Sequence, residues 1–226
     1  MNPSVLLMAR APRAGECKRR LEAILTPQGC ARLQAVLLER AAAWGQTVAD
    51  GKLHAAYAPA DAGAELERLL GGRAQLFAQE GDSVGECLAA AAARAGGDGP
   101  LLIVYPDLPT LGPAHAQAAL DDLRAGIDVS VGPATGGGFY LLALRSPAPE
   151  LFAAAQTPRD GVGVVGGVLA AVQQRGLRVG LMRSERDLHT PDDVRALLAD
   201  PLTPADVRAA LKPPETAAAM RDPMAE

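Results

Sequence analysis

Leu101-Leu-Ile-Val-Tyr-Pro-Asp-Leu-Pro-Thr-Leu111 is the stretch that decides how this chain folds. Its first five residues are apolar and follow a Gly-Pro pair, which predicts a short strand buried on both faces, as in a parallel sheet. Asp107 follows where this strand would emerge at the carboxyl edge of the sheet, the edge at which open α/β sheets bind ligands. Pro106 and Pro109 stiffen the backbone around it, so Asp107 is a candidate ligand for a divalent cation that carries phosphates. The alternative is an Asp that only accepts backbone hydrogen bonds in a proline-rich turn.

The composition is that of a globular protein with ample length for a core: 226 residues, 49% hydrophobic and 21% charged. A net charge of -4 argues against a general nucleic-acid binder. No run approaches the roughly 18 apolar residues of a membrane span. An apolar strand begins at Val5, and the chain shows no basic region followed by a long apolar run, so we expect no secretory signal. Three cysteines without metal-ligand spacing fit the reducing cytoplasm.

Predicted strands alternate with predicted helices along the whole chain, which indicates a mostly parallel sheet covered on both faces, a three-layer α/β/α sandwich. No linker divides it, so we expect one domain over residues 1–211, and the polar, proline-rich residues 212–226 are predicted to be a mobile tail. The predicted strands are Val5–Ala9, Leu53–Ala58, Ala74–Ala78, Leu101–Tyr105, Asp128–Gly132, Phe139–Leu144 and Leu177–Met182. The predicted helices cover about 27–48, 61–70, 83–94, 113–124 and 162–175, with two further short helices after Thr190 and Thr203.

Thr-Pro pairs mark three of these helix starts, with Thr as the cap and Pro in the first helical position. They are Thr26-Pro27, Thr190-Pro-Asp-Asp193 and Thr203-Pro-Ala-Asp206. The last two repeat the same pattern, acidic residues in the first turn included, and predict two successive helices.

The loop after the first strand carries five basic side chains at the same sheet edge as Asp107. Gly15 lets a ligand approach its backbone, and the cations can neutralise a diphosphate. The loop is not a P-loop, because it lacks the Gly-Lys-Ser/Thr sequence. A solvated basic loop is the alternative. The basic residues are Arg10, Arg13, Lys18, Arg19 and Arg20.

Five motifs in order, spread over about residues 4–198, resemble a family of small bacterial nucleotide-diphospho-sugar-transferase-like proteins, long labelled a domain of unknown function. The first corresponds to that family's Lys-x-Pro-x-x-Gly-x-x-Lys-Thr-Arg-Leu, and the fourth to its Gly-Pro-Ala-x-Asp-Gly-Gly-Tyr-Tyr-Leu. The motifs read Ala9-Arg-Ala-Pro-Arg-Ala-Gly-Glu-Cys-Lys-Arg-Arg-Leu21, Gln79-Glu-Gly-Asp-Ser-Val-Gly-Glu86, Tyr105-Pro-Asp-Leu-Pro-Thr-Leu111, Gly132-Pro-Ala-Thr-Gly-Gly-Gly-Phe-Tyr-Leu141 and Asp187-Leu-His-Thr-Pro-Asp-Asp193.

The resemblance implies a glycosyltransferase-A fold and roles for single residues. Asp107 would hold a metal and, with Lys18 and Arg20, stabilise the departing diphosphate. Further residues would bind the nucleotide or its phosphates (Arg10, Gly15, Gly85 and Glu86) or line the sugar or acceptor pocket (Gly136, Gly137, Gly138 and Tyr140). Related guanylyltransferases that act on phospholactate or phosphoenolpyruvate share the sheet order and supply a competing chemistry.

The chain departs from the family pattern at two acidic positions. Gly136 stands where the family has the Asp of its Asp-Gly-Gly loop, and His189 stands where the closing motif has a second Asp. A site formed by Asp107, Asp187 and His189 would favour a transition metal such as manganese over magnesium. Nucleotide binding by the basic loop without a tightly held metal, and a decayed site that only binds, stay open. Two further alternatives also stay open. His189 is then only an exposed residue before a helix cap, and the glycine run is only a flexible start of a strand.

These features together predict a transferase that uses a nucleotide-activated donor and a divalent cation, Mg²⁺ or Mn²⁺. Transfer of a sugar from a nucleoside diphosphate sugar to a small-molecule acceptor is the first choice. The alternatives are a nucleotidylyltransferase, which joins an NTP to a phosphorylated small acid and releases pyrophosphate, and a catalytically decayed nucleotide or metabolite binder. No nucleic-acid or membrane partner is expected, and the small residues of the 83–94 helix leave a homodimer open.

Overall fold

The computed structural model describes residues 2–49, 52–153 and 163–212. Its seven strands are β1 (Ser4–Arg10), β2 (Leu53–Ala58), β3 (Gln75–Ala78), β4 (Leu101–Val104), β5 (Val129–Pro133), β6 (Phe139–Leu144) and β7 (Val179–Leu181). They form one sheet in the order β3-β2-β1-β4-β6-β5-β7. β6 runs antiparallel to β4 and β5, and every other pairing is parallel. The predicted α/β fold with a mostly parallel sheet is confirmed.

The central strands are apolar throughout because both faces of the sheet are covered. The helices are α1 (Glu22–Ala49), α2 (Gly63–Leu70), α3 (Val84–Ala95), α4 (Pro113–Arg124), α5 (Glu150–Ala153), α6 (Val164–Gln174), α7 (Pro191–Ala199) and α8 (Ala205–Ala210). In β1, Val5 and Leu7 point into the cluster beneath α1, α2 and α4, whereas Leu6 and Met8 point into the cluster on the opposite face. A third apolar cluster joins α1 to α7 and α8.

Two of the three predicted threonine caps are confirmed. Thr26 accepts the Gly29 backbone N–H through its hydroxyl, at a kink inside α1 where its φ is 63°. The Thr190 hydroxyl accepts the Asp193 backbone N–H at the start of α7. The prediction for Thr203 is wrong: α8 begins at Ala205, and the buried Thr203 hydroxyl has no hydrogen-bond partner among the described residues.

Several predicted boundaries also change. β7 is shorter than the predicted 177–182 because the Leu177 backbone N–H turns back to the Val172 carbonyl at the end of α6. α6 ends at Gln174, and residue 162, where we expected it to start, lies outside the described residues. The sequence did not predict the short helix α5. The predicted mobile tail lies outside the described residues from 213 onward. No helix in the part of the chain that the structure describes is long and apolar enough to cross a membrane.

The loops that carry the five motifs meet at one edge of the sheet, where the parallel strands end. The Leu188 backbone N–H donates to the Asp107 carbonyl, which joins the closing motif to the loop after β4. The Gly136 N–H donates to Asp187 Oδ1, so the closing motif also touches the glycine loop. The Gln79 side chain donates to the Ala9 carbonyl and ties the second motif to the end of β1.

Candidate functional site

An ion pair between Lys18 and Asp107 lies at the centre of this edge. The Lys18 ammonium Nζ donates to Asp107 Oδ1 at 2.6 Å and to the Leu188 carbonyl at 2.7 Å. The Lys18 side chain is only 5% exposed and that of Asp107 21%. Lys18 also has a left-handed backbone, with φ at 50°, just before a short 3-10 helix. Such a conformation is costly for a residue other than glycine and is enriched at functional sites.

Asp187 and His189 extend the cluster. His189 Nε2 is 2.9 Å from Asp187 Oδ2 and 3.9 Å from Asp107 Oδ2, so the imidazole stands between the two carboxylates. Burial raises the pKa of Asp187, but the His189 hydrogen bond and charge and the backbone N–H of Gly136 outweigh it and hold that pKa below its ordinary value. Asp187 is therefore an anion at neutral pH.

Gly136 fits closely against Asp187. Its backbone N–H donates to Asp187 Oδ1 at 3.2 Å. A Cβ at this position would lie 3.2 Å from both carboxylate oxygens, which is closer than ordinary contact. The position that carries Asp in the resembled family thus lies beside Asp187, and in this chain it supplies a backbone N–H but no side-chain carboxylate.

Asp193 holds the backbone of His189, a role that the sequence did not reveal. Its Oδ2 accepts the backbone N–H groups of His189 and Thr190 and the Thr190 hydroxyl, and its Oδ1 accepts from Arg186. Burial raises the pKa of Asp193, but the hydrogen bonds lower it by more, so the pKa lies below that of a free aspartate. The capping pattern Thr-Pro-Asp-Asp was the available signal, and it pointed only to a helix start.

We expect Asp193 to make stability depend on pH. Because its pKa is lower in the folded chain, its contribution is complete above the unfolded pKa of about 3.9 and is lost as the pH falls through the folded value. Asp193→Asn should lower the melting temperature by roughly 2–4 °C above about pH 5, for a loss of about 1 kcal/mol, and the difference should shrink below about pH 4. Asp192→Asn, at a neighbouring side chain that is 76% exposed, is the matched control. A difference between wild type and Asp193→Asn that is as large at pH 3 as at pH 7 would contradict the assignment.

The structure does not bring all predicted residues to this cluster. Arg13 pairs with Asp61 and Glu65 beside α2, and Gly15 lies exposed in the loop. The other arginines of the basic loop are exposed to solvent: Arg10, Arg19 and Arg20.

The second motif caps the N-terminus of α3. Glu86 Oε2 accepts the backbone N–H groups of Asp82 and Ser83, and the Ser83 hydroxyl accepts that of Glu86, a reciprocal capping box. These hydrogen bonds hold the pKa of Glu86 below its usual value. Gly85 is buried within the same turn. The Glu86 carboxylate is thus occupied by backbone donors in this conformation.

Tyr140 lies in the core and not at the site surface. Its side chain is 3% exposed, and its hydroxyl donates to the Arg183 carbonyl at 3.1 Å. Burial raises the pKa of this hydroxyl to about 12. The ring packs edge-on against His115, with centroids 5.4 Å apart. In contrast to the sequence-based expectation of an acceptor contact, Tyr140 is packed in the core against Gly132 and His115.

The donor types at the cluster fit a divalent cation. Two carboxylates and an imidazole suit Mn²⁺ better than Mg²⁺, which prefers oxygen ligands alone. In the conformation described, however, these donors are engaged with one another and with Lys18. Across residues 2–49, 52–153 and 163–212, no three His, Cys, Asp or Glu side chains are grouped so that they could hold a metal ion as they stand.

Comparison with known proteins identifies relatives of this chain. Residues 41–157 match the model of a family described as an uncharacterized protein conserved in bacteria, DUF2064. A predicted nucleotide-diphospho-sugar transferase from Desulfovibrio desulfuricans G20 is 25% identical, with a TM-score of 0.80 over 97% of each chain. No curated protein matches the sequence.

Two further solved structures share the fold at lower identity. Rv0371c from Mycobacterium tuberculosis H37Rv, in complex with manganese, is 18% identical, with a TM-score of 0.53 over 88% of this chain and 98% of that one. A cytidylyltransferase from Leptospira borgpetersenii is 10% identical, with a TM-score of 0.52 over the whole of both chains. The predicted fold type, that of nucleotide-diphospho-sugar transferases, is confirmed.

Proposed function

Because this chain belongs to the bacterial family DUF2064 and carries a charged cluster at the ligand-binding edge of its sheet, we propose that it is a transferase that uses a nucleotide-activated donor. The first reaction we propose is transfer of a sugar from a nucleoside diphosphate sugar to a small acceptor. The Lys18–Asp107 pair, buried at that edge beside Asp187 and His189, carries the proposal. The likeness to the Desulfovibrio protein supports this choice of reaction.

In this proposal Lys18 and Arg20 bind the donor's diphosphate and stabilise its charge as it departs. Preorganised cations do this without reorganisation at the moment of reaction, which is commonly the largest contribution to catalysis. Asp107, Asp187 and His189 would hold a divalent cation, whose charge would stabilise the same leaving group. The proposed donor site also includes the loop and rim residues Arg10, Gly15, Gly85 and Glu86.

The acceptor, on this proposal, lies against the loop Gly136, Gly137 and Gly138. Gly137 has φ at 93°, a conformation that glycine adopts without strain. The loop is exposed apart from Gly138, which is half-buried, so its backbone is open to a ligand. Asp187 lies directly behind it and fixes its orientation through the Gly136 N–H.

One observation favours nucleotidylyl transfer as the second candidate. A hydroxyl acceptor needs a base, but Gly136 supplies no carboxylate and Asp187 already pairs with His189. A phosphorylated small acid is already an anion and needs no base to attack an NTP. The released product separates the two reactions, because only the second produces pyrophosphate.

A thermal-shift panel tests the proposal. Nucleoside diphosphate sugars, NTPs and NDPs are each tested with Mg²⁺, with Mn²⁺ and without metal. One nucleotide should stabilise the protein by about 2.7 kcal/mol at 100 times its Kd, which corresponds to a rise in melting temperature of roughly 5–10 °C. Lys18→Gln should remove most of this rise. Arg124→Gln, at the far end of α4, is the control and should keep it.

The panel also separates the candidates. Stabilisation by a nucleoside diphosphate sugar supports sugar transfer and names the donor, and stabilisation by an NTP alone favours nucleotidylyl transfer. Binding without turnover indicates a binding protein. If no nucleotide stabilises the wild-type protein, the transferase proposal is wrong.

A further inference from the structure

The Lys18 ammonium pairs directly with Asp107, the carboxylate that would hold the proposed cation. Nζ contacts Oδ1 at 2.6 Å, and the same ammonium also contacts the Leu188 carbonyl. The other oxygen, Oδ2, lies 3.9 Å from His189 Nε2. A divalent cation that approached Asp107 from that side would meet a carboxylate whose charge the ammonium already balances, and a like charge close by.

Lys18 is fixed in this position more firmly than a surface lysine would be. Cys17, the residue before it, and Leu21, three residues after it, are each at most 1% exposed. They anchor the loop on both sides of Lys18. Its own side chain is 5% exposed, and its backbone is held in the left-handed region. The ammonium therefore cannot move away into solvent at little cost, since it would lose two acceptors and leave Asp107 without a counter-charge.

We propose that Lys18 is a built-in competitor of the divalent cation at Asp107. The ammonium leaves the carboxylate only when an anionic phosphate of the donor attracts it, and Asp107 then becomes available to the cation. The protein consequently binds the metal weakly in the absence of nucleotide and tightly in its presence. The inference rests on the proposed function, because that function places a nucleotide and a cation at this edge.

Removing the ammonium charge should change metal and nucleotide binding in opposite directions. A lysine that only bound phosphate would, when replaced, weaken nucleotide binding and leave metal binding unchanged. A lysine that competes with the metal would, when replaced, also strengthen metal binding in the absence of nucleotide. Mn²⁺ affinity without nucleotide is therefore the quantity that isolates the proposal.

The experiment titrates the full chain with Mn²⁺ alone and follows free Mn²⁺ by electron paramagnetic resonance. Lys18→Gln, which retains a hydrogen-bond donor, should bind Mn²⁺ at least about tenfold more tightly than wild type. Lys18→Met should do the same, so either variant that folds, as judged by circular dichroism, decides the outcome. Arg19→Gln removes one positive charge from the neighbouring exposed residue and should change the affinity less than about twofold.

Three results would overturn the inference. One is a wild-type chain that binds Mn²⁺ alone as tightly as the Lys18 variants do. Another is an equal gain in Lys18→Gln and Arg19→Gln, which would indicate a general effect of net charge. The third is a gain in Lys18→Gln that Asp107→Asn, introduced in addition, does not abolish. The nucleotide panel without metal decides the proposed function separately, so failure of one does not imply failure of the other.

Discussion

Replacing Asp107 with asparagine is expected to lower kcat/KM for the transfer reaction by roughly 100- to 1,000-fold. Asparagine keeps the shape of the side chain but removes the negative charge that positions Lys18 and that, in our proposal, would bind the cation. The loss should appear in single-turnover rates with saturating donor, where folding and donor binding are controlled. A variant that retains more than about a tenth of the wild-type rate would exclude Asp107 from the reaction.

The same substitution should also destabilise the fold, and a second variant tests the reason. Asp107→Asn leaves the buried Lys18 ammonium without its counter-charge, which costs about 3 kcal/mol and roughly 6–12 °C in melting temperature. Adding Lys18→Met removes the stranded charge, so the double variant should recover most of that stability. A melting temperature that Lys18→Met does not restore would contradict this explanation; activity is not the measurement here, because Lys18 is itself proposed to bind the diphosphate.

Gly132→Ala is expected to destabilise the protein by about 3 kcal/mol, because it overpacks the core. A Cβ on Gly132 would lie 2.4 Å from the ring of Tyr140, far inside contact distance. The ring has little freedom to retreat, since its hydroxyl donates to the Arg183 carbonyl and the ring packs nearly perpendicular to that of His115. Chemical denaturation should show a lower midpoint with an unchanged slope.

Gly138→Ala is the matched control for this prediction. Gly138 lies in the loop that joins β5 to β6, its backbone is not in the left-handed region, and a Cβ there meets no atom within 4 Å. Its free energy of unfolding should stay within about 0.5 kcal/mol of the wild-type value. Equal losses in Gly132→Ala and Gly138→Ala would show that backbone freedom, and not contact with Tyr140, decides the cost.

The sequence predicted the fold well because the determining signals are local. Runs such as Leu101–Val104 are apolar at every position, and only a strand covered on both faces explains them. Parallel strands that end at one sheet edge bring their loops together, so the sequence predicts Lys18 and Asp107 in one site, and the structure has them paired there. The antiparallel direction of β6 carries no local signature and came only with the structure.

The limits of sequence reasoning are clearest at the two similar helix starts. Thr190 and Thr203 are each followed by Pro and, two residues later, by Asp, yet only Thr190 caps a helix. Asp193 turns its Oδ2 back to Thr190 while its Oδ1 pairs with the nearby Arg186. Both oxygens of Asp206 instead accept from Arg40 of α1, 166 residues away in the sequence. The competing partner is a tertiary contact, and no local pattern contains it.

The contact between Lys18 and the Leu188 carbonyl spans 170 positions of the chain. The central strands β1, β2 and β4 are all synthesised before residue 105, so most of the sheet can pair while the rest of the chain is still on the ribosome. The Lys18 contact at the sheet edge forms only after the closing motif emerges, more than 80 residues later. A chain interrupted between these points would retain much of the sheet and lack the contact that completes the site.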